Sequence, residues 1–73
     1  MLIYTLGGTL VNGDNIKWIT FGEEDGMIIA YMMDNTSIVL GDYRNGYETE
    51  QVMLKLAQSF GAISCYKMPE RND

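Results

Sequence analysis

The chain has 73 residues, 10 acidic and 5 basic, for a formal net charge of −5, with 47% hydrophobic residues and one proline. A chain this short holds one hydrophobic core at most, and its apolar content is that of a folded domain. With no histidine and a single cysteine, imidazole metal sites, histidine general-base catalysis and an intrachain disulfide are excluded.

Residues 2–6 are β-prone, and Gly7-Gly8 is a pair suited to the positive φ of a tight hairpin. Thr9-Leu10-Val11 starts the return, and Asn12-Gly13-Asp14-Asn15 signals a second turn or bulge. Residues 16–21 form the next strand, with Ile16, Trp18 and Thr20 on one face and Lys17, Ile19 and Phe21 on the other. Gly22-Glu23-Glu24-Asp25-Gly26 is a charged loop. Residues 27–33 are apolar throughout, Asp34-Asn35 occupies a hairpin turn, and residues 36–43 return. The period then changes. Val52, Met53, Leu56, Ala57 and Phe60 share one stripe of a helix predicted over 50–60. Thr49 is placed to cap its start and Gly61 to end it in a left-handed conformation. Residues 62–68 read as a last strand, closed by Pro69.

The order β-β-β-β-α-β predicts an α+β fold, a mostly antiparallel five-stranded sheet with one helix on one face, curled toward a barrel if the second face is to be hidden. Residues 1–68 form a single domain, and 69–73 a frayed tail. The strand at 27–33 breaks the alternation such a sheet requires: Met27, Ile29, Tyr31 and Met33 point one way, Ile28, Ala30 and Met32 the other. One helix covers only one set. Either the sheet curls, or the chain dimerises through the second face, or that face binds another protein. The set assigned to the uncovered face is Ile28, Ala30 and Met32.

The five basic residues are scattered, so direct nucleic-acid binding is disfavoured, although Trp18 and the tyrosines could in principle stack on bases. The excess of acid favours a partner with a basic surface, and it also serves plain solubility. Glu23, Glu24 and Asp25 are the densest charge cluster; with Asp34, Asp42 and Asp14 they would rim the apolar face. Their consecutive spacing is poor for a metal, and no cofactor is expected. Cys65 sits in an apolar run and reads as a small core residue in a reducing compartment. Ser37, Ser59 and Ser64 have no histidine to activate them, so no enzyme is expected. No stretch is long enough to span a bilayer and no signal peptide is evident; the expected location is cytoplasmic.

Three stretches, Ile38-Val39-Leu40-Gly41-Asp42-Tyr43, Glu48-Thr49-Glu50-Gln51-Val52-Met53-Leu54 and Tyr66-Lys67-Met68-Pro69-Glu70, resemble a group of very small proteins from Gram-positive bacteria, their phages and integrated mobile elements. The chain departs from that pattern at Arg44-Asn45-Gly46-Tyr47, which lengthens the strand-to-helix connection. The resemblance implies a fold and a genomic context. Small acidic phage proteins are often inhibitors of host enzymes or defence systems, anti-CRISPR proteins included. The reading is therefore a non-enzymatic protein-protein interaction module, an inhibitor of a host nucleic-acid-binding or defence enzyme in its concrete form. A structural homodimer is the second reading, and a sheet that binds single-stranded nucleic acid the third.

Overall fold

A computed structural model describes residues 1–22 and 25–71. It contains strands β1 (Leu2–Tyr4), β2 (Leu10–Asn12), β3 (Ile16–Phe21), β4 (Met27–Met32) and β5 (Ser37–Asp42), helix α1 (Gly46–Ser59), and strand β6 (Cys65–Lys67). The α+β class is as read from the sequence, but the single five-stranded sheet is not. There are two three-stranded sheets, ordered β2-β1-β6 and β3-β4-β5, and they do not close into a barrel. The short return at β2 is a strand in its own right, and a 3-10 turn at Gly13–Asn15 separates it from β3.

The first sheet is mixed. β1 pairs antiparallel with β2, and parallel with β6, with Ile3 opposite both Val11 and Tyr66. The turn joining β1 to β2 closes through Thr5 N–H to Thr9 O at 2.7 Å, with Gly8 at φ 92°. The second sheet is an antiparallel meander with a register shift between Ile16 and Trp18 and another between Ile28 and Ile29. Its β4–β5 hairpin lies where Asp34-Asn35 predicts it. The turn is wider than a two-residue one: Met32 N–H donates to Thr36 O at 2.8 Å, and Asn35 takes φ 70°. The two sheets meet at a corner where Leu6 N–H donates to Leu40 O at 2.9 Å.

The helix begins four residues earlier than its apolar stripe suggests. Asn45 is the N-cap, and its side-chain oxygen accepts from Glu48 N–H at 3.1 Å. Thr49 lies inside the first turn and is fully buried. Its hydroxyl reaches Asn45 O at 2.7 Å and Gly26 O at 3.1 Å, so it ties the helix to the β3–β4 loop and is not the cap. The other end is as expected: Phe60 is the C-cap and Gly61 follows at φ 80°.

The core lies between the two sheets and the helix. Ile3 and Val11 enter from the first sheet, Ile28, Ala30 and Leu40 from the second, Val52 and Leu56 from α1, with Tyr43 and Met68 beside them. Full burial of a side chain such as Leu56 contributes about 1.5–3 kcal/mol. Beyond β6 the chain stays attached: the Tyr43 hydroxyl donates to Pro69 O at 2.8 Å and Arg71 Nη1 to Asp42 O at 3.4 Å.

Candidate functional site

Cross-strand pairing decides which face of β4 is covered. Ile19 opposes Ala30, Phe21 opposes Ile28, and Ala30 opposes Ile38, so these residues share one face. Ile28 and Ala30 are completely buried there, and Met32 packs half-buried against the same cluster. Their assignment to an open surface is therefore overturned for Ile28 and Ala30. They are the floor of the core, because α1 and the first sheet cover that parity and not the other.

The uncovered face is the opposite set. Trp18 opposes Tyr31, which opposes Ser37, and Thr20 opposes Ile29, which opposes Val39; Met27 and Asp42 end the rows. Trp18 is 56% exposed and Val39 41% exposed, while Met27, Ile29 and Tyr31 are half-buried by their neighbours. The Trp18 and Tyr31 rings lie 5.8 Å apart and tilted by 41°, an arrangement that fixes both rings. Lys17 Nζ stands 5.6 Å from the Trp18 ring centroid and donates to Asn35 Oδ1 at 2.5 Å. The result is a flat apolar surface with a pre-positioned indole. One residue carried the signal for it: Ser37 is the polar member of residues 37–40, and its parity marks the outward set.

The acidic residues do not form one rim. Glu23 and Glu24 lie outside the described residues. Asp25, in the β3–β4 loop, and Asp42, opposite Met27, stand at one end of the sheet, whereas Asp34 is in the β4–β5 turn at the other. A six-residue strand separates those ends by about 20 Å. Asp25, Asp34 and Asp42 each accept a bond from the backbone N–H two residues on: Met27 for Asp25, Thr36 for Asp34 and Arg44 for Asp42. That is the local turn chemistry of aspartate. The Thr36 hydroxyl bonds Asp34 as well, and the two contacts hold its carboxyl below the ordinary aspartate range.

The first sheet also turns an apolar face outward, through Leu2, Tyr4 and Leu10. Cys65 lies opposite Leu2 on that face and is exposed, which corrects its reading as a core residue. Among the described residues no group of three or more His, Cys, Asp or Glu is placed to hold a metal ion. No helix among them is long and apolar enough to cross a membrane. No family of known proteins, no curated protein and no solved structure matches the chain.

Proposed function

We propose that the chain is a non-enzymatic protein-binding module that docks through the outer face of β3, β4 and β5. The observation that supports this is the row Trp18, Ile29, Tyr31 and Val39, which the single α-helix among the described residues does not cover. Contiguous apolar surface of this kind on a small domain marks interaction sites, and tryptophan and tyrosine are the usual anchors of such interfaces. The partner is a larger protein with a basic surface, which would meet Asp25 and Asp42 at one end of the sheet while the overall charge of −5 speeds encounter. The resemblance to small proteins of phages and mobile elements supports a concrete version, an inhibitor of a host nucleic-acid-binding or defence enzyme.

Capture from a lysate of the bacterial host tests the surface when it is run with variants. Trp18→Asp and Val39→Asp both alter exposed positions, so the fold is kept and circular dichroism should be unchanged. Binding is expected to fall strongly for both and to persist for Leu10→Asp on the other sheet. Equal capture by all four proteins sinks the proposal. A second reading, self-association through the same face, follows from the same exposed row. Light scattering separates the two, since a dimer at micromolar concentration that Val39→Asp splits into monomers favours the homodimer.

A further inference from the structure

Three dipeptides of the chain set an asparagine or aspartate before glycine: Asn12-Gly13, Asp25-Gly26 and Asn45-Gly46. In such a pair the glycine nitrogen, unshielded by a side chain, can attack the preceding side-chain carbonyl carbon and close a cyclic succinimide. The fold treats the three nitrogens differently. Gly13 is buried and its N–H donates to Met1 O at 2.8 Å; Gly26 is buried and its N–H donates to Gly22 O at 2.9 Å. Gly46 is the first residue of α1, so its N–H precedes the helical ladder and meets no acceptor among the described residues. Asn45 is exposed, and its Oδ1 already accepts from Glu48 N–H at 3.1 Å. That donor points at the oxygen on which negative charge gathers during attack at Cγ. Ring closure also needs a turn about the Asn45 Cα–C bond, and a fraying first turn supplies it.

We propose that Asn45 is a site of spontaneous deamidation and that the change resets the start of α1. Gly46 N loses its proton to hydroxide and bonds Asn45 Cγ; the Cγ–Nδ2 bond breaks, and ammonia leaves with a proton from water. Water then opens the ring at either carbonyl, giving aspartate or isoaspartate, with no oxidant or reductant involved. Both products add one negative charge to the chain's −5, beside Gly26 and hence at the Asp25 and Asp42 end of the second sheet. They differ in backbone. Aspartate keeps the cap. Isoaspartate routes the main chain through the side chain and shifts the carbonyl that accepts from Thr49 N–H at 2.9 Å and from the Thr49 hydroxyl at 2.7 Å. Neither product requires a bound partner, so the site is independent of the docking reading.

The test holds the whole chain at physiological temperature and mildly alkaline pH. Peptide mass spectrometry maps the conversion, with fragmentation that separates isoaspartate from aspartate. Asn45 should convert at least about tenfold faster than Asn12, since the Gly13 N–H must first give up a buried hydrogen bond. In urea, where both asparagines simply precede glycine, the two rates should converge. Gly46→Ala should slow the reaction at Asn45 by about tenfold and leave Asn12 as it was. The isoaspartyl form should melt below the parent, while Asn45→Asp melts at or above it, because aspartate is a good cap and its charge suits the helix start. Conversion at Asn12 as fast as at Asn45, no conversion at Asn45 within weeks, or a Gly46→Ala variant that reacts as the parent does overturns the proposal. Selectivity that persists in urea takes the choice of site away from the fold and overturns it too. An isoaspartyl form that melts with the parent overturns the effect on α1.

Discussion

Tyr43 concentrates several local effects in one side chain. It is 2% exposed, and its hydroxyl donates to Pro69 O. Burial first, then the neighbouring Tyr66 phenol and Glu48 carboxylate, push its pKa up to about 12 from 10. In the unfolded chain the phenol ionises near pH 10, so the stability that depends on its neutral form is complete below pH 10 and is lost as pH rises toward 12. Tyr66, raised by burial, adds to the same alkaline loss. Urea unfolding of Tyr43→Phe should show a cost of about 1 kcal/mol at neutral pH, from the missing bond to Pro69, and a shallower decline between pH 10 and 12. An unchanged alkaline slope would remove Tyr43 from this account. Gly26 is the second such residue. Its φ is 72°, and an added Cβ would run into Arg44 N and stand 2.7 Å from Arg44 Cα. Its carbonyl accepts both Tyr43 N–H and the Thr49 hydroxyl. Gly26→Ala should lower stability by more than about 2 kcal/mol, read as a shift in thermal midpoint, because the left-handed backbone and the steric conflict act together.

At the level of elements, the β4–β5 hairpin, the existence of α1 and its end at Gly61 were legible, because each rests on local chemistry: a turn-forming pair, a 3.6-residue period, a residue free to take positive φ. The start of α1 was not. Asn45 precedes the apolar stripe by about two turns, and Thr49 fits the cap pattern equally well until its hydroxyl is seen facing inward. Asn45→Ala should therefore cost about 1 kcal/mol in chemical denaturation, as expected for loss of an N-cap. A neutral result would place the start of the helix elsewhere. The parity of β4 was illegible for a different reason. A strand apolar on both faces carries no sign of which face meets the core; Ile28 and Ile29 are alike in sequence, yet Ile28 is fully buried and Ile29, on the other face, only half-buried. The polar Ser37, one strand away, was the residue that could have decided it. Cys65 was misread because its apolar neighbours hide that it lies on an edge strand of a three-stranded sheet.

At the scale of the whole molecule, the division into two sheets was not visible in the sequence, since no turn signal announces a strand that joins its partner from the far end of the chain. Leu2 lies beside Cys65 and Tyr4 beside Lys67. The exposed apolar residues of the second sheet lie on the face of β4 opposite Ile28 and Ala30, and Asp25, Asp34 and Asp42 form no single rim around them. A chain shortened to residues 1–61 lacks β6 together with Met68, which is 1% exposed in the core. It should give no cooperative thermal transition. A cooperative melt of the shortened chain would make β6 dispensable.

The parallel pairing of β1 with β6 also bears on biosynthesis. Strand β1 waits long for its second neighbour, because that ladder closes only after residue 67 has been made. Pairings so distant along the chain slow folding through the entropy of loop closure. Until then the β4–β5 hairpin, whose two halves are contiguous, is the natural seed, and Ile3 has no completed sheet around it. The nascent polypeptide thus holds β1 half-paired until residues 65–67 supply the clasp.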